Sequence, residues 1–410
     1  MNVVHPHRAA HRARQAACLV LATAVALVIA GCASSPRGDG HDLVAERFAK
    51  MPAQDDVVAA GDWYRPTVTV RGAPRAWPGA GAGGAATLPE GSRLAAALAL
   101  SRQYETLALV VVQDGRIVLE DYAPGITPAV RFDTQSMHRG LTALVVGAAI
   151  ADGRIDSIDA PAARWLPEWQ GAGDPRGAIT IRDLLYAQSG LVDPPYAATP
   201  DSPAMQMFIG TDLRKLALGL QPQSKPGTKY RGATAEAQVL GLVLERATRR
   251  SYGDYLSRRI WQPIGAGDAA VRLDRPGGNT RTFCCIQATA RDWARVGQLV
   301  LDRGRVAGRQ LLPESWIAQL TTPSPLNPSV GTYWWVEPTP LIPSNVDRSR
   351  APAHPTPFAH PGTVYTGGRG GQRLFVLPAQ RAVVVRIGKM RYDFDDGVFA
   401  NTFAAALAQP

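Results

Sequence analysis

Ser136 stands at the head of the apolar run Ser136-Met137-His138-Arg139-Gly140-Leu141-Thr142-Ala143-Leu144-Val145-Val146-Gly147. The run reads as a buried helix whose first turn carries this hydroxyl. At a helix start the backbone N–H groups lack intrahelical acceptors and the helix dipole favours negative charge. A serine placed there suits acyl transfer, in which an oxyanion develops close to the attacking oxygen. One helical step further on, at i+3, lies Arg139. A lysine in that place can lose its proton when desolvated and accept the serine's, whereas a guanidinium with a pKa above about 12 keeps its own. The same four residues thus point to a serine nucleophile and leave its proton without an obvious acceptor. His138 does not fill the gap, because i+2 on a helix faces the other way. Tyr230, Glu236 and His360 are the remaining candidate bases; His360, in Ala359-His360-Pro361-Gly362, reads as a loop residue.

The elements that must hold this serine can be traced along the chain. Residues 107–112 and 116–120 are apolar runs joined by Asp114-Gly115, a hairpin signal. After the serine helix, the pattern is mainly helical over 181–188, 235–250, 252–261, 289–302 and 313–320. Strand patterns return at 333–337, 373–377 and 382–387, and 397–408 closes the chain as a helix. Strands at both ends with helices between predict an α/β (α+β) fold: an antiparallel sheet drawn from both chain ends, flanked by helices, with an all-α insertion.

The first residues belong to targeting. Arg8, Arg12 and Arg14 precede an apolar run from Ala16 to Ala30 that is too short to span a bilayer, which is the pattern of a signal peptide. The run ends in Ile29-Ala30-Gly31-Cys32, similar to a bacterial lipobox, so Cys32 is the expected lipidation site and mature N-terminus. Several acyl chains, at about 0.8 kcal/mol per buried methylene, would hold the protein on a membrane facing the periplasm or cell exterior. Loss of residues 1–31 lowers the formal charge from +10 to +7, because the leader carries three arginines and no acid. Those charges are scattered, with no aromatic-interleaved basic stripe, which argues against nucleic acid as a partner. Cys284 and Cys285 are expected as buried free thiols, since adjacent cysteines bridge only with strain. Seven histidines include no HExxH or Cys/His cluster, so no metal and no cofactor is expected. The expected organisation is a leader at 1–31, a lipidated N-terminus and flexible tether at 32–91, and a main domain at 92–408. In that domain the sheet part covers about 92–135 and 330–408 and the helical part about 136–329.

Several ordered segments resemble the serine β-lactamase and DD-peptidase superfamily, in its class C β-lactamase-like esterase and 6-aminohexanoate-dimer hydrolase branch. They are Phe132-Asp133-Thr134-Gln135-Ser136, Ala151-Asp152-Gly153-Arg154-Ile155, Ile179-Thr180-Ile181-Arg182-Asp183-Leu184-Leu185 with Ser189-Gly190-Leu191, Ile260-Trp261-Gln262-Pro263-Ile264-Gly265, and Ala290-Arg291-Asp292-Trp293-Ala294-Arg295. The resemblance covers about residues 90 to 405 and implies an active site in a cleft between a sheet domain and an all-α domain. It assigns Ser136 as nucleophile, with Arg139 where the family has lysine. Counted from Pro226-Gly227 or from Leu240-Gly241, the family's proton-relaying tyrosine falls on Gly232. Tyr230 lies two residues away, about 7 Å along an extended chain, so a loop shift would have to bring it in. The cleft strand is implied at Thr366-Gly367-Gly368, where glycine admits close approach of a substrate carbonyl. The N–H groups of Ser136 and Arg369 are the implied oxyanion donors.

The expected activity is that of a lipid-anchored serine hydrolase acting on a small ester or amide. The alternative, motivated by Arg139 and Gly232 together, is a catalytically impaired pseudo-enzyme that binds a cell-wall peptide or partner in the same cleft.

Overall fold

The run 107–112 lacks polar alternation because both faces of its strand are covered. The computed structural model describes residues 39–52, 62–81, 88–89, 91–193, 195–231, 234–338 and 355–408. Its strands are Thr67–Val70 (β1), Thr106–Gln113 (β2), Arg116–Tyr122 (β3), Phe132–Asp133 (β4), Ala269–Arg272 (β5), Gln287–Ala288 (β6), Arg305–Val306 (β7), Arg309–Gln310 (β8), Val364–Gly368 (β9), Gln372–Leu377 (β10) and Ala382–Gly388 (β11). The main sheet is antiparallel in the order β3-β2-β11-β10-β9, so early and late strands meet at its centre, with Val112 opposite Val383 and Val110 opposite Val385. The β2–β3 turn uses positive φ at Asp114 (50°) and Gly115 (73°), the paired left-handed geometry that matches strand twist.

Side chains alternate across this sheet with the strand period of two. Val110, Val112, Leu374, Val376, Val383 and Val385 join the core shared with the helix Ala290–Leu301. That helix approaches so closely that a Cβ on Gly297 would lie 2.5 Å from Val383. Leu109, Val111, Phe375, Leu377 and Val384 face the other way, against Leu98 of the helix Arg93–Gln103 and Phe399 and Phe403 of Asp396–Ala406. The described residues from Leu43 onward belong to one compact unit. The helices expected at 181, 235, 289 and 313 are present as Ile181–Leu185, Thr234–Thr248, Ala290–Leu301 and Glu314–Leu320. Capping boxes at Thr180/Asp183 and Thr289/Asp292 fix two of these starts by satisfying their first N–H groups.

Three expectations are corrected. A second sheet, ordered β1-β5-β6-β4, places two strands, β5 and β6, inside the stretch expected to be helical, and the two-residue β4 and β6 are too short to show a period. The stretch 32–91 is not wholly a tether: β1 pairs with β5, Ala73 N–H donates to Ala266 O at 2.9 Å, and buried Arg47 donates to Ile209 O at 2.6 Å. Residues 333–337 do not form a strand, because Tyr333 takes φ 61°. Beyond that break Trp335 makes only isolated bridges, to Val330 and to Tyr365.

Candidate active site

The serine is presented by a braced turn between β4 and the helix His138–Ala151. Gln135–Met137 form one 3-10 turn, and Ser136 is the one partly exposed residue from Phe132 to His138. Its neighbour Gln135 holds a left-handed backbone (φ 52°), a conformation costing a non-glycine residue about 1–3 kcal/mol unless its surroundings impose it. The imposing groups are identifiable. Asp133 Oδ1 accepts from Gln135 N–H at 3.1 Å and from its side-chain amide at 2.9 Å, and buried Asp133 is itself paired with Arg272 of β5. Among the described residues, no hydrogen bond engages the Ser136 hydroxyl.

Strand β9 seals one side of this turn. A Cβ on Gly368 would lie 2.4 Å from Thr134 O and 3.0 Å from Met137 N, and one on Gly140 would lie 2.5 Å from Thr366 Oγ1. Glycine at both positions is therefore what lets the cleft strand and the serine helix touch. Arg373, paired with Asp396 beneath the sheet, donates to Gly368 O at 3.1 Å and fixes the strand's last residue. Arg386 donates to Gly371 O at 2.6 Å and ties down the following turn. Arg369 is partly exposed just beyond β9.

A second group of side chains surrounds Arg139. Its Nε donates to Phe283 O at 3.1 Å and its Nη2 to Thr234 Oγ1 at 3.2 Å, with no ion pair among the described residues. Thr234 opens the helix Thr234–Thr248, whose first N–H groups are capped by Asp193, at 2.6 Å from Thr234 N and 3.0 Å from Ala235 N. In the same turn lies Glu236, fully buried. Its Oε1 accepts from Ser189 Oγ at 2.5 Å and Ser189 N–H at 3.0 Å, while Oε2 has no partner among the described residues. Burial pushes this carboxyl up to about 8. Tyr230 is half-buried, beside Asn327 and within the field of Arg139. Burial raises its hydroxyl above the usual tyrosine range, and the Arg139 charge partly offsets this. Tyr333 shares that field and donates to Leu184 O at 2.7 Å.

Of the residues expected at the site, the structure sets Gly368 against the turn that carries Ser136 and Thr366 against Gly140 of the helix that follows, turns Gly367 toward Arg373 instead, and gathers Arg139, Tyr230 and Glu236 into one electrostatic cluster. It shows no hydrogen bond from Tyr230 to Ser136. Gly232 and Cys32 lie outside the described residues. His138 is buried, its Nδ1 at 2.7 Å from Cys284 O and its Nε2 at 2.9 Å from Tyr252 Oη. Burial pushes its pKa down to about 4, so it is a neutral structural group. His360 lies in the loop before β9, where Thr363 N–H donates to its carbonyl. Thr234 and Asp193 had no sequence signal as site residues, and the structure alone links them to Arg139. Cys284 and Cys285 correct another expectation, because they are joined by a disulfide. Cys285, the second of the pair, takes a left-handed backbone (φ 74°).

Among the described residues, no helix is long and apolar enough to cross a membrane, and no group of three His, Cys, Asp or Glu is placed to hold a metal ion. Comparison with known proteins gives a consistent picture. The family model described as Beta-lactamase matches residues 91–409. The 6-aminohexanoate-dimer hydrolase of Paenarthrobacter ureafaciens is 28% identical over 225 residues, covering 52% of this chain and 56% of that protein, little more than half its length. The structure named "Putative 6-aminohexanoate-dimer hydrolase from Bacillus anthracis" superposes with a TM-score of 0.70 at 19% identity, over 91% of this chain and 98% of that one. A family VIII carboxylesterase superposes with a TM-score of 0.57 at 20% identity, over 78% and 98%. At these identities the structural likenesses speak to the fold.

Proposed function

Because the chain belongs to the β-lactamase family, whose model spans residues 91–409, we propose that it is a serine hydrolase that transfers the acyl group of a small ester or amide to Ser136. The observation that carries this reading is the contact between the partly exposed Ser136 turn and the glycine end of β9, where only hydrogen fits at position 368. The Ser136 oxygen attacks the substrate carbonyl and gives up its proton to solvent water, and the oxyanion is held by the N–H groups of Ser136 and Arg369. The ester or amide bond breaks and the alcohol or amine departs with a proton from solvent, and a water molecule then hydrolyses the acyl-serine to the free acid and restores the hydroxyl. Each such donor is worth about 3 kcal/mol in the barrier. Arg139 stays charged and acts as a fixed cation, lowering the cost of negative charge nearby. With no base hydrogen-bonded to Ser136 among the described residues, the chemistry runs roughly 10² to 10⁴-fold slower than it would with one. A fluorophosphonate probe is expected to label the wild type and not Ser136→Ala. Equal labelling of both, or of neither, refutes the reading.

The same reading places the chain on a bacterial membrane, exported through its leader and held by lipid on Cys32, facing the periplasm or cell exterior. Metabolic labelling with an acyl-chain analogue, lost in Cys32→Ala, tests it. A second reading is favoured by Arg139, tied to Phe283 O and Thr234 Oγ1 where a proton acceptor would be needed. In it the cleft binds a cell-wall peptide or partner without turnover. Hydrolysis of a p-nitrophenyl ester that vanishes in Ser136→Ala rejects that reading.

A further inference from the structure

The segment 283–288 runs antiparallel beside the serine turn and holds it residue by residue. Phe132 pairs with Ala288 and Asp133 with Gln287. Thr134 N–H and Oγ1 both donate to Ile286 O, at 3.2 and 2.9 Å. Cys285 N–H donates to Gln135 O at 3.2 Å, His138 Nδ1 lies 2.7 Å from Cys284 O, and Arg139 Nε donates to Phe283 O at 3.1 Å. The Cys284–Cys285 disulfide sits in the middle of this zipper, level with Ser136. Both sulfur-bearing residues are almost wholly buried, at 2% and 1% exposure. Across the Cys285–Gln135 hydrogen bond, two non-glycine residues face each other in left-handed conformations, at φ 74° and 52°.

We propose that this disulfide is a positioning element for Ser136, and that its reduction loosens the serine turn and lowers the reactivity of the hydroxyl. The inference rests on the reading of Ser136 as nucleophile. The ring closed by the S–S bond holds Cys285 in a backbone region that an unlinked cysteine leaves. When the bond opens, Cys285 relaxes to negative φ and its N–H turns away from Gln135 O. Gln135 then loses one of the hydrogen bonds that hold its own left-handed backbone, with Ser136 as the next residue. The step balances: a dithiol gives two electrons and two protons to the Cys284 and Cys285 sulfurs, the S–S bond breaks, two thiols form, and the dithiol leaves as its own disulfide. Because the bond is buried, it opens only through local unfolding of the segment, so the reaction with reductant is slow.

The test uses the full chain in two redox forms. The reduced form is made with dithiothreitol in sub-denaturing urea, desalted anaerobically and verified by a mass gain of two hydrogens. The rate of fluorophosphonate labelling and the amide hydrogen exchange of residues 132–139 are then measured for each form. Labelling is expected to fall at least about 10-fold on reduction and to recover on reoxidation, with faster exchange in 132–139 and unchanged exchange in β10 and β11. The double variant Cys284→Ser/Cys285→Ser is expected to label at the slow rate whatever the redox state. If that variant fails to fold, the two forms of the wild type still decide. Equal labelling and equal exchange in both forms overturn the proposal. Redox-dependent exchange with no labelling in either form supports the positioning role and rejects Ser136 as nucleophile.

Discussion

Glu236 offers a quantitative check on the cluster around Arg139. Its carboxyl, ordinarily near 4.5, titrates at about 8 because burial removes water from the charged form, and the two hydrogen bonds from Ser189 only partly compensate. The folded chain therefore holds this proton more tightly than the unfolded chain does. The stability this contributes is complete below pH 4.5 and is lost as the pH rises toward 8. At about 1.4 kcal/mol per pKa unit, the full loss above pH 8 is roughly 4–5 kcal/mol, and at pH 7 about 3 kcal/mol is already gone. Glu236→Gln removes the titration and keeps the shape. Its amide oxygen can still accept from Ser189, while its NH₂ falls where Oε2 has no partner, a pH-independent cost of about 1–3 kcal/mol. The variant is thus expected to be less stable than the wild type at pH 5 and more stable at pH 8.5. Urea denaturation of both proteins across pH 5 to 9 gives the difference directly, with titrations common to both cancelling. A difference that stays flat over that range refutes the assignment of a buried, proton-holding Glu236.

Two substitutions address the serine turn. Gly368→Ala places a methyl group 2.4 Å from the Thr134 carbonyl. The strand must therefore retreat, and activity toward a p-nitrophenyl ester is expected to fall about 10²-fold while the circular dichroism spectrum is kept; unchanged kcat/KM would separate β9 from the reaction. Arg139→Lys supplies a group that can lose its proton. It is expected to raise ester turnover by about 10² with a new alkaline limb in the pH profile, and to cost about 1–3 kcal/mol in a thermal melt through lost bonds to Phe283 O and Thr234 Oγ1. Turnover no higher than wild type assigns Arg139 another role.

Much of the fold was legible because it rests on local patterns. The hairpin over 106–122 announced itself through Asp114-Gly115 between β-branched runs, and the helices from 181, 234, 289 and 314 through apolar spacing and, at Thr180 and Thr289, through caps whose partners are only three residues away. Ser136 was legible for the same reason, as a hydroxyl leading an apolar helix. The small sheet was not, because strands of two residues carry no period, and pairing β1 with β5 joins residues about two hundred positions apart. Tyr333 defeated its strand pattern through a backbone angle that aromatic content does not encode.

By itself, the sequence determined that a hydroxyl, Ser136, heads an apolar helix, that the guanidinium three positions later cannot accept a proton, and that strands from the two chain ends share a sheet. Residue type and short-range spacing suffice for these. Only the tertiary structure decided that β9 touches the serine turn through Gly368 and Gly140, that Glu236 keeps its proton in the cluster with Tyr230 and Arg139, and that a disulfide backs Gln135. Those outcomes depend on desolvation and on contacts between distant segments, and both are set by packing rather than by any residue's neighbours in the chain.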